Sequence, residues 1–224
     1  MTLCLVTDRR RLAPDPVPLA VACECLVQQA RFAVEAEIDL IQLRERDLSG
    51  AQLTALAREL LAVTRGTRTR LVINDRVDVA VACGADGVHL RTDSIGVAAA
   101  RRLAPRPFLI GRSVHGASEA PAAAGADYVI AGTVFPTVSK AGHDHLGVEG
   151  LRAVVGAVAV PVLAIGGVTV ERAGAVAAAG AAGIAAIGAF VPLRSHGTLL
   201  CLAAPVRPVA DAMRRQFDTR TAAS

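Results

Sequence analysis

Eight short apolar runs punctuate the chain: LCLVTD (3–8), IDLIQLRE (38–45), RLVIND (70–75), DGVHL (86–90), FLIGRSV (108–114), YVIAGTV (128–134), PVLAIGG (161–167) and GIAAIGAF (183–190). Most are continuously apolar rather than alternating, the pattern of parallel strands covered on both faces. Ala- and Leu-rich stretches near 19–36, 49–64, 76–83, 95–104, 116–124, 148–158 and 169–179, with a last one near 207–216, predict helices between and after them. Several helix-to-strand joints place Gly just before the strand, in CGADGV, AGADYV and AGAAGI, where a helix ends in a left-handed cap. The first joint, EAEIDLIQ, has Glu37 there instead.

A strand–helix unit of about 25 residues repeated along the chain predicts an α/β fold, the (β/α)8 TIM barrel, over residues 1–192. Residues 193–224 form a C-terminal helix and tail that packs on the barrel or reaches a second copy in a homodimer. An open doubly wound sheet is the alternative, but no GxGxxG follows the first strand.

Composition narrows the function classes. Hydrophobic residues make up 53% of the 224, yet aromatics only 3% with no Trp, so the core is built of Ala, Val, Leu and Ile. The net charge of +4 comes from scattered arginines, and few rings are available for base stacking, which argues against nucleic-acid binding. Five cysteines without paired CxxC motifs read as reduced thiols in a cytoplasmic protein. No signal peptide is expected, and the uncharged stretch 173–193 carries Gly180, Gly183, Gly188 and Pro192, which predicts a helix, a turn and a buried strand rather than a membrane span.

Active sites of such barrels collect at the carboxyl ends of the strands. Those ends read Thr7-Asp8, Gln42-x-Arg44-Glu45-Arg46, Asn74-Asp75-Arg76, His89-Leu90-Arg91, Arg112-Ser113-Val114-His115, Thr133 with Pro136-Thr137-Val138-Ser139-Lys140, Gly166-Gly167 and Gly188-Ala189. Glycines after the last two strands let a backbone approach a phosphate. Arg44, Arg46 and Lys140 offer cations to a second, larger anion such as a diphosphate. Two anion sites imply two phosphorylated reactants. Arg44 beside Glu45 has a plainer reading as a surface ion pair.

LCLVTD, IQLRER, VINDRVDVAVACGADGVHL, IGRSVH, ADYVIAGTVFPTVSK and VPVLAIGGV stand in the order and spacing of the thiamine phosphate synthase and thiazole tautomerase superfamily, which the chain resembles over about 190 residues. The resemblance implies that a hydroxymethylpyrimidine diphosphate loses pyrophosphate and that a thiazole phosphate nitrogen captures the pyrimidine cation. It implies that Gln42 and Asn74 orient the pyrimidine, while Arg44 and Lys140 hold the diphosphate; Arg91 is an alternative that neutralises diphosphate in place of metal charge. Thr137 and Ser139 then donate to substrate oxygens, Ser113 assists the leaving group, and Gly167, Gly188 and Ala189 bind the thiazole phosphate. Mg²⁺ is the implied cofactor, with Asp75 as one ligand.

Lys140 is the only lysine among 24 Lys and Arg. A compact ammonium on a flexible stem suits charge developing on a departing oxygen better than a planar guanidinium does. Two positions depart from the superfamily pattern: QLRER has Arg46 where a lysine is usual, and the second metal position falls on Ser94, with Asp93 one residue early. A hydroxyl is a poorer Mg²⁺ ligand than a carboxylate. The alternatives are the tautomerase, with His115 as general acid and base, and a non-catalytic paralogue that binds phosphorylated ligands.

Overall fold

The apolar runs pair side by side in chain order, and the last returns to the first. In the computed structural model, which describes residues 1–14, 16–104, 106–137, 144–191 and 206–221, the strands are β1 (Thr2–Val6), β2 (Leu40–Leu43), β3 (Arg70–Asn74), β4 (Gly87–Leu90), β5 (Leu109–Val114), β6 (Tyr128–Ala131), β7 (Val162–Ala164) and β8 (Gly183–Ala186). They form a closed parallel barrel, sealed where Cys4 of β1 stands opposite Leu40 of β2 on one side and Ala185 of β8 on the other. The helices are α1 (Arg9–Leu12), α2 (Leu19–Glu35), α3 (Gly50–Thr64), α4 (Val77–Cys83), α5 (Val97–Leu103), α6 (Gly147–Ala157), α7 (Ala173–Ala178) and α8 (Val206–Thr221). The barrel is therefore the observed architecture, not the doubly wound sheet.

Side-chain parity divides the core in two. Cys4, Val6, Leu40, Val72, Tyr128, Ile130, Leu163 and Ala185 fill the barrel, while the other face of each strand packs under the helices. The interior is dry enough to push the Cys4 thiol up to about 12, chiefly by burial. Local signals agree with the packing. Ser49 and Gln52 form a reciprocal capping box that starts α3, and removing such a cap costs about 1 kcal/mol. Gly84 ends α4 in the left-handed conformation, and Glu37 adopts the same conformation at φ 55° after α2.

The C-terminal helix completes the outer ring instead of leaving it. Val206, Ala210, Met213 and Phe217 form its buried stripe, at helical spacing. Arg207 donates to the Glu35 carbonyl, and Arg214 donates to the carbonyls of Ala36 and Glu37 at 3.1 and 2.6 Å, covering the otherwise unpaired end of α2. No helix of the described residues is long and apolar enough to cross a membrane, and the uncharged stretch after Ala173 is α7, a turn and β8.

Three sequence expectations shift. The stretch 116–124 is a 3-10 helix over Ala117–Ala123, because Pro121 lacks the N–H that an α-helix interior needs. The eighth strand stops at Ala186 and continues as a short 3-10 turn, Gly188–Phe190. An unexpected one-turn helix, α1, follows β1.

Candidate active site

The carboxyl ends of the strands open into a cavity of about 830 Å³. Val6, Ile130, Ile165 and Ala185 line its apolar floor, and Gln42, Asn74, His89 and Ser113 contribute its polar groups. The Gln42 amide donates to Asn74 Oδ1 at 3.1 Å, with both residues buried. That bond leaves the Gln42 carbonyl and the Asn74 amide nitrogen to read the edge of a heteroaromatic ring.

The side formed by β1 to β4 is charged. Glu45 turns away from Arg44 and accepts from Thr7 Oγ1 at 2.8 Å and from Arg9 Nη1 at 2.8 Å. Arg9 also reaches Asp47 and holds that carboxyl down at about 2. The expected Arg44–Glu45 surface pair is thus replaced by a buried Arg9–Glu45 pair, with the side chains 9% and 3% exposed. Thr7 Oγ1 in turn accepts the Arg44 backbone N–H at 2.9 Å, which ties β2's end to β1 and directs Arg44 and Arg46 into the cavity wall. Desolvation, then the neighbouring Arg46 charge, lowers the Arg44 pKa, as expected of a partly buried guanidinium with another cation nearby.

Beside these arginines, the loop after β4 carries Arg91, Asp93 and Ser94. Ser94 Oγ accepts the Arg91 N–H at 2.7 Å and donates to Asp75, which sits at φ 67° directly after β3. Arg91 lies 3.6 Å from Asp75 and 2.5 Å from Asp93. The buried Arg112 donates to the carbonyls of Thr92 and Ile95 at 2.9 and 3.1 Å and so holds the loop down.

The β7–β8 side is built of backbone. Gly166 and Gly167 turn at φ 95° and 62°, and a Cβ on Gly167 would lie 2.5 Å from the Pro136 carbonyl oxygen. The 133–137 loop is zipped to this turn by Val134 N–H to Ile165 O at 2.9 Å and Phe135 N–H to Gly166 O at 3.0 Å. Arg172 fastens both, donating to the Gly167 carbonyl at 2.6 Å while its guanidinium lies 4.9 Å from the Phe135 ring centre. Gly188, Ala189 and the α8 residues Val209 and Met213 complete this wall, with Arg11 of α1 at its edge.

Between the two sides, His89 is enclosed. Its Nε2 lies 2.9 Å from Ser113 Oγ and its Nδ1 3.3 Å from the Tyr128 hydroxyl. Burial, with a smaller contribution from Arg112, lowers the imidazole pKa to about 3. His115 is exposed at the rim and its Nδ1 meets the Gly132 carbonyl, so Nε2 is the nitrogen left to accept a proton.

The model of the thiamine monophosphate synthase family matches residues 5–190, nearly the whole barrel. The chain belongs to that family. It is 52% identical over 166 residues to the thiamine-phosphate synthase of Methanoregula boonei, covering 72% of this chain and 76% of that one. It is 44% identical over 168 residues to the thiamine-phosphate synthase of Methanospirillum hungatei, covering 74% and 82%. The solved thiamine phosphate pyrophosphorylase of Pyrococcus furiosus superposes with a TM-score of 0.77 at 33% identity, covering 98% of this chain and 96% of that one.

Of the residues the sequence singles out in this family member, Gln42, Arg44, Arg46, Asn74, Arg91, Asp93, Ser113, His115, Thr137, Gly167, Gly188 and Ala189 all line the one cavity. Asp75 and Ser94 stand just behind it, with Asp75 lining a small adjoining cleft. Ser139 and Lys140 lie outside the described residues. Among the described residues no three His, Cys, Asp or Glu gather as a metal cluster. Sequence reading gave no role to Arg9, Arg11, Arg112, Tyr128 or Arg172. The parity of Tyr128 with Ile130 in β6 and of Leu109 with Ser113 in β5 was the signal available for Tyr128, whereas α1 gave none.

Proposed function

We propose that this thiamine-phosphate synthase joins a hydroxymethylpyrimidine diphosphate to a thiazole phosphate and releases pyrophosphate. The observation that supports the reading is that an arginine-lined wall and a glycine-lined wall face each other in one cavity: β3 and β7 stand across an eight-stranded barrel from each other. Gln42 and Asn74 orient the pyrimidine. Arg44, Arg46 and Arg91 hold its diphosphate, each guanidinium offering a fork of donors to phosphate oxygens. Gly167, Gly188 and Ala189 hold the thiazole phosphate, with Thr137 donating from the loop between.

The C–O bond to the diphosphate breaks with both electrons passing to the departing oxygen, and the thiazole nitrogen then bonds to the carbon left behind. Fixed donors lower this barrier because they already point at the oxygen where charge develops. Ser113 from β5 is such a donor, and Lys140, carried on the segment beyond Thr137, is assigned the same task. The enclosing apolar floor excludes water from the cation.

Mg²⁺ commonly binds through one or two carboxylates with the remaining positions filled by phosphate oxygens and water. Asp75 fits that set as a single carboxylate: it stands behind the arginine wall with a hydroxyl partner already orienting it. Asp93, drawn to Arg91 and 68% exposed, and Ser94, already used by Asp75, are the weaker donors. When bound, the ion neutralises diphosphate charge. Small charged substrates and free thiols suit a cytoplasmic location.

Steady-state assays of thiamine phosphate and pyrophosphate, with and without Mg²⁺, test the reading on wild type and Lys140→Ala. Equal amounts of both products from wild type, and loss of at least about tenfold in the variant, are expected. A wild type that forms neither product at any Mg²⁺ concentration contradicts it.

A further inference from the structure

Ser113 reaches the cavity from the fifth strand, and what its hydroxyl can do depends on where its proton lies. The groups behind it settle that. Tyr128, 6% exposed, extends its phenol from β6 into the barrel interior, and His89 from β4 fills the space between that phenol and Ser113. Three neighbouring strands thus place three side chains in a line running from the dry interior to the cavity. The line exists because Gly111 of β5 has no side chain: a Cβ there would lie 2.2 Å from Tyr128 Cζ and 2.5 Å from His89 Nδ1.

A neutral imidazole has one donor and one acceptor nitrogen, and an imidazolium has two donors. Among the described residues, His89 Nδ1 is the partner shown for the Tyr128 hydroxyl. A phenol buried in an apolar interior keeps its proton, and burial raises its pKa well above the usual tyrosine value. Were Nδ1 to carry hydrogen, the Tyr128 proton would face Nδ1–H with no acceptor, a loss that buried polar groups avoid. The phenol therefore donates to Nδ1, and Nε2 must carry the imidazole hydrogen. Nε2–H then donates to Ser113 Oγ, and the serine's own proton is turned away from His89.

We infer that Tyr128 and His89 act as positioning residues that fix Ser113 as a hydrogen-bond donor into the cavity and prevent it from serving as a nucleophile. Resting on the synthase reading for the identity of the acceptor, the serine proton is directed at an oxygen of the departing diphosphate. Ser113 keeps that proton throughout, so no base is required. His89 cannot remove it, because the only nitrogen in reach already bears hydrogen. The charged group acting on the imidazole is Arg112 of β5, and the titratable groups acting on the phenol are the neutral Cys4 thiol of β1 and Asp127, just before β6.

The test has a spectroscopic and a kinetic arm. In uniformly ¹⁵N-histidine-labelled wild type at neutral pH, with His89 assigned by its absence in His89→Asn, the expected signature is a protonated Nε2 and an unprotonated Nδ1. This arm reads the wild type and does not depend on which reaction is catalysed, so it separates failure of the relay from failure of the synthase reading. In the kinetic arm, Tyr128→Phe and Ser113→Ala each lower kcat about tenfold or more, with KM for both substrates changed less than about twofold. The double variant is no slower than Ser113→Ala alone, because removing the hydroxyl leaves nothing to orient. An unprotonated Nε2 in wild type, or rate losses that multiply in the double variant, would overturn the inference.

Discussion

Under the proposed reading, the two walls of the cavity perform related tasks with opposite materials. On the β1–β4 side, guanidiniums dominate, and their backbone is braced by the Thr7–Glu45–Arg9–Asp47 network and by Arg112. On the β7–β8 side, glycines and short apolar side chains present the backbone, braced by Arg172 from behind. A diphosphate carries more charge than a phosphate monoester and must also leave, so it calls for several forked cations. A monoester that stays with the product needs shape and close approach more than charge. Arginines serve both walls, but on one they face the cavity and on the other they hold the scaffold.

The contrast is sharpest when a brace on the charged side is removed. Glu45→Ala strands the nearly buried Arg9 with only the exposed Asp47, and breaking a buried pair in this way costs about 3 kcal/mol. Urea unfolding should show that loss, while KM for the thiazole phosphate stays within about twofold at a temperature where the variant is folded. Arg44→Ala removes a cavity-facing cation: kcat/KM for the pyrimidine diphosphate should fall about ten- to a hundredfold, the usual range for a charge-assisted hydrogen bond. An equal rise in KM for the thiazole phosphate would dissolve the division of labour.

Gly188→Ala probes the other wall more gently. The new methyl meets Arg11 Nη1 at 3.2 Å, the end of a flexible side chain that can move aside. A rise of about threefold in KM for the thiazole phosphate alone is expected, the scale of about 0.7 kcal/mol. The smallest effect belongs to charges outside the comparison. Arg68→Ala deletes ion pairs to Glu37 and Asp39 on a side chain 59% exposed, so unfolding stability should change by less than about 1 kcal/mol and no kinetic constant should move.

Much of this was legible in the chain. Continuous apolar runs fixed the strands because parallel strands in a barrel are covered on both faces, and glycines at 84, 125 and 180 marked helix ends at φ 70°, 80° and 85°. The strands were read too long at their carboxyl ends, where Gly132–Thr133 and Ile187–Gly188 continue the apolar pattern but turn into cavity wall. Polar residues at or just past the carboxyl ends of β1 to β5 were recognisable as mouth residues from the barrel's architecture alone. Partners were not: Arg9 pairs with Glu45 across 36 residues, and His89 meets Tyr128 across 39, distances no local pattern encodes. The neighbour Arg44 looked the better partner for Glu45 in sequence, yet past the end of β2 Glu45 turns to Thr7 and Arg9 while Arg44 lines the cavity.

Two walls for two anions make a direct prediction about simultaneous occupancy. Calorimetric titration of inorganic pyrophosphate, with Mg²⁺ present, into protein first saturated with the thiazole phosphate should give one-to-one binding with an affinity within about tenfold of that for the unliganded protein. Pyrophosphate that binds only by displacing the thiazole phosphate, its apparent affinity falling in proportion to thiazole phosphate concentration, would show a single shared anion site and contradict the assignment of both walls.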